Sequence, residues 1–230
     1  MEDEELFDQQ LGPFYDDHGP EIIPSGFDEA HERLLDCLGE FSVRSNQPEL
    51  HGLKVSITHY DLTRFIQEEW DRLNNPEKPP RKGFILSSLS PSAAAGRAAE
   101  EVVLQKLCWR LLFGSTSVAR TIAFWDAVDE GLLVRPRGVA SDDIVLELSD
   151  GSLACVEAKA SFNGKAPFMR FRTKAVSQLQ ATLQANPKVS HAVLAFVDLK
   201  NRDVLLVSAR RDELLEQGTS AVEQIVSNLG

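Results

Sequence analysis

Four short apolar runs in the C-terminal half of the chain constrain its fold more than any other feature. Each is rich in β-branched or small apolar residues and is bounded by turn residues; they span 143–148, 153–160, 191–198 and 204–209. Runs of this length and composition predict β-strands. A helical pattern from about Arg170 to Gln184 separates the second run from the third. The order β-β-α-β-β, with further helices on either side, predicts an α/β fold in which helices flank a mixed central sheet.

The turn between the first two runs decides which side chains face each other. It contains Asp150-Gly151, a pair typical of short hairpins. A two-residue turn would put Asp142 opposite Lys159. A three-residue loop, with Gly151 in the left-handed conformation, would put Asp143 opposite Glu157. Residue spacing alone leaves both registers open.

Helical periodicity predicts five more helices around these strands. They span about 27–41, from Asp61 as N-cap to 74, 92–113, 118–130 and 211–229. The second of them ends where Pro79 and Pro80 follow, because proline lacks the backbone donor that a helix needs. We therefore expect a small acidic N-terminal region of arm and helices at 1–83, with an adaptor or regulatory role, and a main catalytic domain at 84–230.

Charge is divided unevenly between these two regions. Residues 1–83 carry 19 acidic and 8 basic side chains, a net charge of −11, whereas residues 84–230 carry 16 of each. Residues 158–197 contain no Asp or Glu and six Lys or Arg. A basic surface in an acidic protein is typical of a polyanion-binding site. The acidic N-terminal region suits a regulatory or delivery protein as a partner, and self-association into a homo-oligomer stays open.

The composition excludes several classes of protein. No apolar run approaches the ~20 residues of a membrane span, and Met1 to Glu5 is acidic rather than basic, so we expect a cytoplasmic protein with no membrane partner. Delivery into another cell stays open. Cys37, Cys108 and Cys155 are too far apart for a disulfide framework or a zinc site. The five histidines form no H-x-x-x-H pair, and P-loop, dinucleotide-binding and nucleophile-elbow motifs are missing.

Two Asp/Glu-x-Lys tripeptides follow apolar runs. Glu157 and Lys159 are two residues apart on a predicted strand, so their side chains point to the same side, about 6 to 7 Å apart. The rival is Asp198-Leu199-Lys200, and no acidic residue between 158 and 197 can supply it with a second carboxylate. The first tripeptide is therefore the better candidate for an acid–base or metal site.

The segment Ser141-Asp142-Asp143-Ile144-Val145-Leu146, followed by Val156-Glu157-Ala158-Lys159-Ala160-Ser161, resembles the PD-(D/E)xK nuclease superfamily. The resemblance covers about residues 92–210. It implies a restriction-endonuclease-like core of αβββαβ type, in which one strand begins at the metal-binding Asp and the next carries Glu-x-Lys. It favours Asp143, the acid directly before the apolar strand, and with it the three-residue hairpin loop.

The resemblance also implies roles for individual residues. Mg²⁺, with Mn²⁺ as an alternative, would be held by Asp143, Glu157, the backbone carbonyl of Ala158 and Glu100. The catalytic set would be Asp143, Glu157, Lys159, Glu100 and Gln178, with Lys159 orienting the attacking water or stabilising the developing charge. Helical spacing places Glu100 on an apolar stripe, where a carboxylate needs a partner such as a metal.

The expected function is therefore Mg²⁺-dependent hydrolysis of phosphodiester bonds in DNA, in phage defence or as an antibacterial toxin. Phosphates that flank the cleaved bond would be bound by Lys165, Arg170, Arg172 and Lys174. The main alternative is a catalytically inactive module of the same fold that binds nucleic acid or assembles with other proteins. In a third interpretation, the N-terminal helices are an acidic interaction surface and the remainder is scaffold.

Overall fold

The fold is built on a mixed β-sheet of eight strands. The computed structural model of the chain describes residues 32–74, 91–137, 143–162 and 167–229. Its strands are β1 (Gly39–Ser45), β2 (Lys54–Ile57), β3 (Leu112–Phe113), β4 (Thr116–Ala123), β5 (Ile144–Leu148), β6 (Leu153–Ser161), β7 (Val189–Asp198) and β8 (Asp203–Arg210). Their order across the sheet is β2-β1-β8-β7-β6-β5-β4-β3. The prediction of an α/β fold with a mixed central sheet is confirmed.

Helices connect and flank these strands. They are α1 (His59–Asn74), α2 (Pro91–Leu107), α3 (Phe124–Asp129), α4 (Pro167–Ala185), α5 (Arg211–Gln217) and α6 (Thr219–Ser227). A 3₁₀ turn, Cys108–Arg110, follows α2. Within the described ranges, every helix is too short or too polar to cross a membrane.

The hairpin of β5 and β6 has the three-residue loop. Ile144 pairs with Val156, and the Leu148 amide donates to the Ser152 carbonyl at 2.9 Å. Gly151 has a φ of +81°, the left-handed conformation that this loop requires and that other residues rarely adopt. The prediction that Asp143 lies opposite Glu157, rather than Asp142 opposite Lys159, follows from this register.

The sheet turns from antiparallel to parallel at β6. Strands β4, β5 and β6 form an antiparallel meander, and β7 then runs parallel to β6 after the crossover through α4. One sheet face, here called the helix face, carries Val145, Cys155 and Leu194 and packs with buried residues of α3, α4, α5 and α6. The opposite face carries Val193, Ala195 and Leu206, which are also fully buried. Both faces of the central strands are therefore apolar, as in sheets covered on two sides.

The chain divides into two compact units, Met1–Gly39 with Ser56–Val102 and Glu40–Val55 with Val103–Gly230. In the first unit, α1 begins with a capping box: the Asp61 carboxylate accepts from the Thr58 amide at 2.8 Å, and the Thr58 hydroxyl accepts from the Asp61 amide. The N-cap is thus Thr58, not Asp61. The Cys37 thiol donates to the Ala95 carbonyl at 3.3 Å and links the segment before β1 to α2.

The predicted helix at 27–41 is wrong over its described C-terminal part. Residues 32–35 are helical, but β1 begins at Gly39 and pairs in parallel with β8, for example Val43 with Val204. This pairing joins residues 161 positions apart, so local periodicity cannot reveal it. Two strands of the sheet, β1 and β2, therefore come from the region that the sequence predicts to be an arm with helices. The predicted domain boundary at 83 lies outside the described residues.

Two further helix predictions are corrected. The predicted helix at 118–130 is β4 followed by the short α3, and 112–113 form β3 instead of the end of a helix. Val118 and Ile122 are both buried, and their spacing of four residues fits a strand as well as a helix. The predicted helix at 211–229 is divided into α5 and α6 by Gly218, which has a φ of +58°. A positive φ ends a right-handed helix.

Candidate active site

Asp143 is fixed by its backbone at the point where β5 begins. Its amide donates to the Val156 carbonyl at 3.0 Å, and its own carbonyl accepts from the Phe124 amide at 3.3 Å. The residue is therefore held between β6 on one side and the end of β4 on the other. Its side chain accepts at Oδ2 from the Ala158 amide at 2.8 Å, which holds the carboxylate against β6.

The Ala158 peptide lies where the ladder between β5 and β6 ends. The amide and carbonyl of one strand residue point to the same side of the strand, and the Ala158 amide points towards Asp143. The Ala158 carbonyl therefore points to the same side of β6 as the amide, which is the side where the Asp143 carboxylate lies. This backbone oxygen accepts a hydrogen bond from Lys159 Nζ at 2.8 Å.

Glu157 and Lys159 project from the helix face of β6 and form an ion pair. Lys159 Nζ donates to Glu157 Oε1 in a short contact. The Glu157 side chain is 1% exposed, whereas the Lys159 side chain is 19% exposed and reaches the surface. A carboxylate this deeply buried needs a cationic partner, which the ammonium group supplies.

One aromatic residue stands beside Lys159, and a second packs on the first. Phe196 is its register partner on β7 and lies on the same sheet face. Phe168, near the start of α4, contacts the Phe196 ring edge to face, with ring centroids 5.4 Å apart. An apolar wall beside a cation reduces its hydration and strengthens its interaction with anions. Sequence patterns do not identify Phe196 and Phe168, because strand pairing and helix packing bring them together.

The oxygen atoms at the end of the β5–β6 ladder suit a hard divalent cation. Asp143 and Glu157 supply carboxylates and Ala158 supplies a carbonyl, the ligand types that Mg²⁺ prefers. One cationic group, the Lys159 ammonium, already contacts two of these oxygens, on Glu157 and Ala158. No group of three or more His, Cys, Asp or Glu side chains suited to a metal exists among the described residues. Two carboxylates are sufficient for Mg²⁺, which usually keeps several waters or phosphate oxygens.

Gln178 lies on the buried side of α4. It is 4% exposed and follows Ala175 by three residues, on the helix surface that packs against the sheet. An exposed glutamine on a helix has no particular role, but Gln178 is buried on the helix that packs against β6 and β7. The placement is compatible with the role that the family resemblance implies.

Glu100 lies on α2 in the first unit. Its side chain is 13% exposed, and Arg97 Nη1 lies 3.4 Å from its carboxylate. The stripe predicted beside it consists of Val103, Leu104, Leu107 and Leu111, which are all buried. The first three lie on α2, whereas Leu111 follows the 3₁₀ turn and is extended, and the metal-binding role of Glu100 stays a prediction.

Of the predicted phosphate-binding residues that lie in the described part of the chain, two are exposed on α4. Arg170 and Lys174 are exposed and one helical turn apart. Arg172 instead forms an ion pair with Glu223 of α6, at 2.7 Å, and donates to the Met169 carbonyl. Its guanidinium therefore links two helices of the fold. Lys165, like Asp142, lies outside the described residues.

The rival tripeptide at 198–200 has a structural explanation. Asp198 is 5% exposed and accepts from the amides of Lys200 and Asn201, at 3.1 and 3.0 Å, and from the Asn201 side chain at 2.8 Å. These hydrogen bonds form the turn between β7 and β8. Asp198 is thus a turn-capping residue, in agreement with its rejection on sequence grounds.

Comparison with known proteins adds no family. No protein-family model matches the chain, and no curated protein matches it either. The function is therefore inferred from the geometry of Asp143, Glu157, Ala158 and Lys159.

Proposed function

We propose that the chain is a metal-dependent nuclease that hydrolyses phosphodiester bonds in DNA. The observation that carries the proposal is the group of side chains at the end of the β5–β6 ladder. Two carboxylates, a backbone carbonyl and a lysine meet there. The Glu157 carboxylate does not serve solubility, because it is buried.

Each residue of the site has its own role in the proposed hydrolysis. Asp143, Glu157 and the Ala158 carbonyl would hold Mg²⁺, which when bound lowers the pKa of a coordinated water and neutralises charge on the phosphate. Lys159 then orients the attacking water, or stabilises the negative charge that develops on the phosphoryl oxygens. Its partly exposed ammonium can approach a substrate, whereas the buried Glu157 cannot make direct contact with a polymer. Arg170 and Lys174 contact flanking phosphates.

The order of elements supports the same proposal. If the short β3 and the short α3 are left out, the chain runs α-β-β-β-α-β from α2 through β4, β5, β6 and α4 to β7. This is the order of the restriction-endonuclease-like core that the sequence resemblance implies. In the proposal, Asp143 stands at the start of the second core strand and Glu157-Ala158-Lys159 stands on the third. Phage defence and attack on competing bacteria are the biological roles proposed for such an enzyme.

One observation favours a second candidate, a module of this fold that binds nucleic acid without cleaving it. Glu157 and Lys159 form an ion pair with each other, and the Asp143 carboxylate accepts a hydrogen bond from the Ala158 amide. A site with these contacts is stable without a substrate. The two candidates make opposite predictions for hydrolysis and the same prediction for binding.

The test is incubation of the full chain with supercoiled plasmid, single-stranded DNA and RNA in Mg²⁺, Mn²⁺ or EDTA. The proposal predicts nicking or linearisation of DNA with either metal and none in EDTA, and products that carry a 5′-phosphate. Binding of DNA with no cleavage in either metal would support the inactive module instead.

A further inference from the structure

A cleft lies on the opposite sheet face from Glu157 and Lys159. It is a cleft of about 740 Å³ in the second unit, between the β3–β4 hairpin and the ends of β1, β7 and β8. Its volume is within the range of small-molecule sites. Phe113, His191 and Arg210 are among the residues that line it. None of them takes part in the proposed hydrolysis.

Internal hydrogen bonds hold the walls of this cleft. The Asn46 side chain bonds both the amide and the carbonyl of Ser208, and Gln47 Oε1 accepts from the Leu112 amide at 2.9 Å. Arg211 donates to the carbonyls of Asn186 and Val189. A cleft with walls fixed in this way is preformed, so a ligand need not order it.

His191 presents a hydrogen-bond acceptor to the cleft. Its Nδ1 lies 2.9 Å from Ser190 Oγ, and that hydroxyl lies 3.1 Å from the Leu153 carbonyl, to which it can donate. The Ser190 oxygen then accepts from Nδ1–H, which leaves Nε2 as the acceptor of a neutral ring. Burial, and next the charge of Arg210, lower the pKa of His191, although Asp150, Asp212 and Glu213 oppose this. The ring is therefore neutral at pH 7.

Arg210 supplies donors beside this acceptor. It is the register partner of His191 on β8, so both side chains project from the same sheet face. The Arg210 side chain is 67% exposed, and its contact is an ion pair with Asp212 at 3.2 Å on the surface. Exposed pairs of this kind are weak, so a ligand can compete for the guanidinium.

The charges that line the cleft balance, because Arg210 and Arg211 are matched by Asp212 and Glu213. The lining therefore has no net charge that would favour a polyanion, and it suits a ligand that is neutral at the point of contact. Such a ligand would offer an acceptor next to a donor and an apolar surface for Leu112, which is 36% exposed, while the buried Phe113 packs on His191 and supports its ring.

We infer that this cleft binds a nucleobase. Each base carries adjacent donors and acceptors on its edge, which match Nε2 of His191 and the guanidinium of Arg210, and its apolar face can lie on the exposed Leu112. The site is separate from the proposed active site, because His191 is three residues from Leu194, the register partner of Glu157, and so projects from the other sheet face.

The test is titration of the full chain, with isotope-labelled histidine, with adenosine, guanosine, cytidine and uridine, followed by the NMR signals of the His191 imidazole. Ribose 5-phosphate is the control ligand. We expect saturable shifts with at least one nucleoside and none with ribose 5-phosphate. His191→Phe, which keeps an aromatic ring against Phe113, and Arg210→Gln should each weaken binding about tenfold, as measured by calorimetry.

Arg120→Gln, at another partly exposed arginine of the second unit, is the matched control and should bind as the wild type does. If His191→Phe fails to fold, Arg210→Gln alone decides the question, because its side chain is on the surface. Equal shifts with ribose 5-phosphate would show recognition of the sugar phosphate and would overturn the inference. Nucleoside binding that both variants leave unchanged, or no saturable shift at all, would also overturn it.

Discussion

At the scale of the residue, Asp143 has two roles that the same geometry provides. Its backbone completes the pairing of β5 with β4 and β6, and its carboxylate replaces the next ladder carbonyl as acceptor for Ala158. The hydrogen bond from the Ala158 amide holds the side chain at the end of the β5–β6 ladder. Preorganised carboxylates of this kind are what a metal site needs, because no energy is then spent in collecting them.

Substitutions of Glu157 and Lys159 should have strongly coupled effects on the free energy of unfolding. We expect Lys159→Met to lower the free energy of unfolding by about 3 kcal/mol, because it leaves a 1% exposed carboxylate without its ammonium. The double variant Glu157→Gln, Lys159→Met should recover most of this loss, since a neutral pair needs no ionic partner. Urea unfolding of the two variants measures the difference. If the double variant is no more stable than the single one, the ion pair is not what stabilises Glu157.

The candidate site can be predicted from the sequence because its residues are close together along the chain. Glu157 and Lys159 share one strand, and the hairpin loop that aligns Asp143 is only three residues long. The Phe168–Phe196 wall and the pairing of His191 with Arg210 join residues 28 and 19 positions apart, through helix packing and strand register. No local pattern encodes these contacts.

At the scale of the element, turns decide which of the two Asp/Glu-x-Lys tripeptides is structural. Asp198 accepts three hydrogen bonds in the β7–β8 turn, whereas Glu157 is in mid-strand, where no turn needs it. The strands β5 to β8 and the helix α4 agree with the sequence prediction, because their apolar runs are bounded by clear turn residues. The early strand β1 was missed because its partner, β8, is far along the chain.

The Asp198 turn gives a prediction of its own. Asp198→Ala should lower the free energy of unfolding by about 2 kcal/mol, because two backbone amides lose their acceptor. Asp198→Asn keeps an acceptor oxygen and should restore most of the loss. Denaturant titration compares them. Neither variant should change the rate of DNA cleavage per folded molecule, and loss of cleavage by a folded Asp198→Asn would move the active site to this turn.

At the scale of the whole molecule, charge is the feature that the fold leaves unexplained. Residues 1–31, which lie outside the described part of the chain, carry ten acidic side chains and no Lys or Arg. Removing residues 1–83 would not isolate their effect, because it would also remove β1 and β2 from the sheet. A shorter deletion is the cleaner experiment.

We expect removal of residues 1–31 to strengthen DNA binding at low salt. The net charge changes from −11 to −1, so repulsion from the phosphate backbone falls while the sheet stays complete. Binding measured from about 20 to 300 mM salt should show the two proteins converging as screening increases. Equal affinities at the lowest salt concentration would mean that the acidic segment has no effect on DNA binding.

Plasmid cleavage by Lys159→Met and Glu157→Gln, with Lys200→Met as the matched control, tests whether this site hydrolyses DNA. All three are compared with the wild type in Mg²⁺, at a temperature where circular dichroism shows each to be folded. The account predicts a loss of about 10²-fold or more for the first two variants, because a metal ligand or the charge beside the phosphate is removed. It predicts an unchanged rate for Lys200→Met, whose side chain is exposed in the rival tripeptide. Undiminished cleavage by folded Lys159→Met and Glu157→Gln would contradict the assignment of this site.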